Sequence, residues 1–155
     1  MSTKPYTKPV PALDDPLMGP FWREAKQHRL VAQHCANCNA WNFPALPICP
    51  ACLEQALEWT EVMRRGTIWS YAVYHRAFHP GFEEDLPYVV GVIETPEGLR
   101  FIGRVIGPRE KVKVGAAVNA VFADVTEEFT LLMWGLTDED GTLALPQLDG
   151  VGDGR

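Results

Sequence analysis

Two Cys-x-x-Cys pairs constrain this chain more than any other feature. Cys35-Ala-Asn-Cys38 and Cys49-Pro-Ala-Cys52 are separated by ten residues and contain every cysteine present. Two residues between thiols let one tight turn aim both sulfurs at a single ion, and a second such turn completes a tetrahedron. The spacing predicts one structural zinc ion held by Cys35, Cys38, Cys49 and Cys52, with the spacer forming a hairpin. Four thiolates leave no open coordination position, so the site does not activate water. An iron centre and a pair of disulfides are the rival readings. His34 directly precedes Cys35 and reads as a bystander. Knuckles of this kind place the residue after the second cysteine at positive φ, which suits glycine. Here those positions hold Asn39 and Leu53. Asn tolerates that conformation and Leu does not, so the second knuckle is expected to differ in shape. Trp41 and Phe43 in the spacer are expected to pack over the metal or against the neighbouring domain.

The residues around the pairs change character along the chain. Residues 1–16 hold four prolines, which fix φ and remove donors, and predict an extended arm, either disordered or laid along a partner. Its start, MSTKPYTKPVPALDDP, has no apolar core of a secretory signal, so a cytoplasmic protein is expected. Residues 17–29 read as a short helix with Pro20 in the first turn and Leu17, Met18, Phe21, Trp22 and Ala25 on one stripe. Such a helix needs something to pack on, and Phe21 and Trp22 are candidate anchors in a partner groove. Residues 30–62 form the zinc ribbon. Residues 63–136 are β-branched and aromatic, with strands expected near 65–77, 87–95, 99–106, 116–124 and 129–135. Five strands in so short a span fit a small closed barrel. Residues 137–155, rich in Gly and Asp, read as a flexible tail. The fold class is therefore mainly β: an N-terminal helix, a zinc ribbon, then a five-stranded barrel.

Formal charge is −6, which argues against a nucleic-acid coat. A single-stranded nucleic-acid binder is nonetheless the alternative reading, because small barrels often serve that role. Between Arg100 and Lys113 the balance reverses: Arg100, Arg104, Arg109, Lys111 and Lys113 face only Glu110. Arg100 and Arg104 share a strand face by their even spacing. The five could meet the phosphates of a CoA nucleotide, or form a polar outer face. On the first long strand Trp69, Tyr71, Val73 and His75 are expected on one face, and Ile68, Ala72 and Tyr74 on the other. A strand apolar on both faces is central or covered, which predicts an interface. Tyr71, His75, Phe78 and Phe82 join Phe21 and Trp22 as candidate partner contacts. His75 and His79 are the only candidates for a general base, without a readable nucleophile or carboxylate partner, and Glu84 and Asp85 read as a solvated loop. No catalytic residue is assigned. An independent small enzyme using either histidine is the remaining rival.

The order of helix, cysteine pairs and strands resembles the DUF35 family. The match is carried by residues 30–35, the cysteine pairs, Phe43-Pro44, Gly66-Thr67-Ile68-Trp69-Ser70-Tyr71, His75-Arg76, Pro87-Tyr88-Val89-Val90, Gly98, Gly103-Arg104 and Val114-Gly115. The resemblance implies a rubredoxin-like zinc ribbon joined to an OB-fold barrel. It further implies a non-catalytic accessory subunit of a thiolase-fold acyltransferase or aldolase acting on acyl-CoA or acyl-ketone substrates. A hot-dog-fold hydratase is a further implied partner, and some members are proposed to hold the CoA moiety. The chain departs from the family at the knuckle glycines and in its last strand, Phe129–Leu136.

Overall fold

A computed structural model describes residues 5–138 and 140–144. Helix α1 spans Gly19–Lys26. Strands β1 (Val31–Cys35), β2 (Trp41–Asn42) and β3 (Leu57–Glu61) form an antiparallel ribbon in the order β2-β1-β3. Strands β4 (Arg65–Tyr74), β5 (Tyr88–Glu94), β6 (Arg100–Ile106), β7 (Ala117–Asp124) and β8 (Thr130–Leu136) close into a barrel in the order β4-β5-β6-β8-β7. The only parallel pairing among them joins β6 to β8. Short 3-10 turns occupy Pro80–Asp85 and Arg109–Lys111. No described helix is long and apolar enough to cross a membrane.

Local sequence explains the helix ends. The Asp15 carboxylate accepts from the Leu17 and Met18 amides at 2.9 and 2.7 Å, satisfying donors that a helix start leaves free. Pro20 sits in the first turn, and the chain leaves the helix through His28 at φ 55°. Phe21 and Ala25 face inward. Phe21, one of the candidate partner anchors, is 2 % exposed and packs on Phe43 (5.1 Å) and Trp22 (4.9 Å). A short amphipathic helix gains its stability by covering its own domain.

One aromatic chain unites the modules. Phe21 of α1 touches Phe43 of the spacer, Phe43 touches Phe101 of β6 at 4.4 Å, and Phe101 touches Trp134 of β8 at 5.9 Å. Trp134 is fully buried, and the absent side chain of Gly103 makes room for it: a Cβ there would lie 3.0 Å from the indole. Ribbon and barrel therefore share one apolar core rather than two separate ones.

A bulge between Ile68 and Ser70 redistributes the faces of β4. One extra residue flips all that follows to the other face. Trp69 thus joins the outer face, where the Arg100 guanidinium stacks 3.8 Å above its ring. Tyr71 and Val73 pair with Gly91 and Val89, positions whose alternation faces the barrel interior. Strict alternation had put Trp69, Tyr71 and Val73 together, and the bulge separates them.

Both chain ends are engaged where described. Lys8 of the arm pairs with Asp85 at 2.6 Å, and Tyr6 meets Phe129. The arm lies on its own barrel. At the other end Thr137 bridges to Leu143, and the Ala144 amide donates to the Leu136 carbonyl at 2.8 Å. Residues 137–144, expected in a flexible tail, thus turn back onto β8, apart from residue 139. Residues 145–155 and 1–4 of the predicted tail and arm lie outside the described residues.

Candidate metal centre and the surface around it

β1 delivers Cys35 at its end, and the following turn carries Cys38. The second pair sits on the loop between β2 and β3. A buried amide sets the spacer's path. Gln33 Oε1 accepts from Asn42 Nδ2 (2.9 Å) and the Leu46 amide (2.8 Å), while its Nε2 donates to the Leu46 carbonyl (3.0 Å). A buried side-chain amide so fully paired stabilises one loop geometry over its alternatives.

The four sulfurs lie within 4.8 Å of one another. Cys35 and Cys52 are 3.7 Å apart, and Cys38 and Cys49 are 3.6 Å apart. A regular tetrahedron with Zn–S bonds of about 2.3 Å has sulfur edges of about 3.8 Å. The donor set fits a divalent zinc ion, and the separations are far too long for disulfide bonds. Proton sharing points the same way. The Asn37 side chain and the Glu54 amide donate to Cys52 and lower its thiol to about 6. Cys38 accepts from the Ala40 amide, yet desolvation and the other three thiols push it up to about 12. Crowding allows one thiolate easily and resists the last, and a cation removes that resistance. His34 lies outside the tetrad and packs against Trp41 at 4.7 Å.

Both knuckles have the same shape, contrary to expectation. The Asn39 amide donates to the Cys35 carbonyl and the Leu53 amide to the Cys49 carbonyl, each at 2.9 Å. Asn39 has φ 62° and Leu53 φ 65°. The turn closes around the metal ligands whichever side chain follows them, so Leu53 bears a conformation costing about 1–2 kcal/mol.

The predicted basic strip is dispersed by the fold. Arg100 pairs with Glu94 at 3.2 Å, Arg104 with Asp85 at 3.1 Å, and Lys111 with Asp138 at 2.8 Å. Arg109 Nη2 approaches His75 Nε2 at 3.5 Å, and Lys113 has no carboxylate within reach among the described residues. Three of the five cations are thus neutralised within the chain. Asp85, expected in a solvated loop, is only 20 % exposed. Although burial alone would raise its carboxyl, hydrogen bonds and charge from Lys8 and Arg104 bring it below the usual range.

The predicted contact residues also divide. Phe21 is core. Trp22 is half-buried against Phe129 at 5.4 Å. Phe82 packs on Tyr88 with Lys8 over its ring. Tyr71 is 40 % exposed, His75 is exposed, and Phe78 is 79 % exposed. His79 Nδ1 accepts from the Gly81 amide at 3.0 Å and starts the 80–85 turn. Sequence reasoning missed Ile102, 73 % exposed on the same strand face as Arg100; its alternation with buried Phe101 was the available signal.

Residues 22–58 match the family described as ChsH2, rubredoxin-like zinc ribbon domain, and residues 59–123 match ChsH2, C-terminal OB-fold domain. A DUF35 domain-containing scaffold protein of Methanocaldococcus jannaschii is 34% identical over 119 residues, covering 75% of this chain and 84% of that protein. A probable enoyl-CoA hydratase alpha subunit of Thermomonospora curvata is 38% identical over 113 residues, 72% of this chain but 35% of that protein. The chain thus spans about a third of that relative's length. The benzoylsuccinyl-CoA thiolase subunit BbsA of Thauera aromatica is 30% identical over 108 residues, 67% of this chain and 73% of that subunit. Among solved structures, a chain of the Ltp2-ChsH2(DUF35) aldolase superposes with TM-score 0.73 at 33% identity, covering 81% of this chain and 97% of that one. With its ribbon, its barrel and these likenesses, this chain belongs to the DUF35 family.

Proposed function

We propose that this chain is a non-catalytic scaffold subunit of a thiolase-fold acyltransferase or aldolase working on acyl-CoA or acyl-ketone substrates. The likeness to the DUF35 chain of the Ltp2-ChsH2(DUF35) aldolase, nearly complete over that chain, carries this reading. The site chemistry agrees with it. A tetrad of four thiolates offers structure and no open metal position. His79 is engaged in shaping its own turn, and His75 faces a guanidinium rather than a carboxylate that could orient it as a base. Because Arg100, Arg104 and Lys111 already have carboxylate partners, we assign the CoA nucleotide to the enzyme subunit rather than to these cations. A hot-dog-fold hydratase is a second candidate partner, in keeping with the hydratase alpha subunit among the relatives.

Co-expression with a candidate thiolase-fold enzyme tests the reading. The two should co-elute, and the enzyme should gain activity or solubility. Turnover by the isolated chain, abolished in His75→Ala or His79→Ala, would replace it with an enzyme assignment.

A further inference from the structure

Among the described residues, the second half of β4 is a strand edge without a neighbour. β4 runs for ten residues and pairs with β5 as far as Tyr74, but its pairing with β7 stops at Thr67. The last backbone bonds on that side are made by Ile68, whose amide donates to Ala116 and whose carbonyl accepts from Gly115. Backbone groups alternate between the two sides of a strand, and the bulge shifts that alternation by one. Ile68 and then Tyr71 and Val73 therefore direct their N–H and C=O away from β5. Among the described residues no backbone bond reaches those of Tyr71 or Val73 on that side. The strand is also open in side-chain terms: Trp69, Tyr71 and Ala72 are all exposed.

The β6–β7 connection flanks this edge. It is anchored at one end by Arg109 against His75 and at the other by the Gly115 bond to Ile68. Between these anchors Val112 packs on the core, and Val114 is 65 % exposed. The rim is cationic. Arg76 follows the end of β4, Arg109 and Lys113 lie on the flanking connection, and among the described residues none of these three has a carboxylate partner. An unpaired edge with a cationic rim recognises an extended acidic segment. A second copy of this chain is disfavoured, because edge-to-edge pairing of two β4 strands would bring two sets of these cations together.

We propose that residues 69–75, the second half of β4 and the residue after it, receive an added strand from the enzyme subunit, an extended segment bearing Asp or Glu that meets Arg109 and Lys113. The inference rests on the scaffold reading and specifies where and how that partner is held. Main-chain bonds to Tyr71 and Val73 supply the pairing, and the cationic rim sets the partner's sign and register.

Hydrogen exchange of the co-purified complex against the lone chain tests this. The amides of residues 69–75 should slow at least tenfold in the complex. Tyr71→Pro, which removes one edge donor, should weaken association at least tenfold, against a smaller loss in Tyr71→Ala; a thermal melt establishes that both variants fold. Arg109→Glu combined with Lys113→Glu should weaken association at least tenfold and flatten its salt dependence, while Arg23→Glu on α1 leaves it unchanged. A complex that forms with exchange in 69–75 unaltered overturns the inference and leaves the scaffold reading standing. Concentration-dependent protection of the same amides in the lone chain assigns the edge to a second copy and also overturns it. Failure of the subunits to co-elute removes the scaffold reading and this inference together.

Discussion

The ribbon and the barrel are both small antiparallel sheets, yet different forces hold them. The barrel closes on itself and fills its interior with Trp134, Phe101, Ile68, Ile93 and Leu136, all fully or almost fully buried. The ribbon has a two-residue strand at one edge and leaves Leu46, Ile48 and Leu53 exposed. Its own apolar interior is slight, and its cysteine tetrad is placed to hold an ion, whose binding would supply what packing does not. The contrast teaches that one polypeptide can carry two stability mechanisms when a shared seam lets each lean on the other. Here that seam is the aromatic line from Phe21 through Phe43 to Phe101.

Metal removal strikes the comparison hardest. Structural zinc binding is worth about 10–16 kcal/mol in isolated modules. Chelation, or Cys49→Ser, is expected to unfold the ribbon while β4–β8 retain exchange protection. Elemental analysis should return one zinc per chain before treatment, and simultaneous loss of protection in both sheets would show that the barrel has no independent stability. The reciprocal change is Trp134→Ala, which empties the barrel centre and should cost about 3–5 kcal/mol in chemical denaturation. Zinc content measured below the transition should stay unchanged. Also inside the barrel, Gly103→Ala drives a methyl group toward the indole of Trp134 and should cost about 1–3 kcal/mol, read by the same denaturation curve.

Two smaller effects sharpen the contrast. Asp124 ties α1 to the barrel. A hydrogen bond from Thr130, then His28 at 3.1 Å and Lys26 at 3.5 Å, holds its carboxyl below the usual range despite some desolvation. A depressed carboxyl contributes stability that is present above its unfolded value, about 3.9, and is lost as pH falls through the folded value. Thermal melts of Asp124→Asn and the parent chain should therefore differ at pH 6 and converge toward pH 2. The smallest effect is a gain. Leu53→Gly relieves the left-handed knuckle at a side chain already 71 % exposed, and the melting temperature should rise by the equivalent of about 1 kcal/mol.

Legibility differed along the same divide. The cysteine tetrad, the helix and the five barrel strands could be read from spacing and alternation, because each is a local pattern within a few residues. Errors arose where a distant residue decided. Phe21 looked available for a partner, since nothing nearby in sequence announces Phe43 or Trp59 as its cover. The cations from Arg100 to Lys113 looked like one strip, since Glu94, Asp85 and Asp138 reach them only across the fold. The bulge after Ile68 left no mark in the alternation of a strand apolar on both faces.

What the sequence by itself determined was the gathering of the four thiols and the module order. Thiolate spacing and strand periodicity are properties of covalent neighbours, which the chain carries before it folds. Only the tertiary structure decided which apolar residues are covered, which charges are neutralised and which strand edge stays open. Those outcomes depend on closure of β4–β8 and on the seating of α1 and the ribbon against them, and closure brings together residues that no local pattern connects.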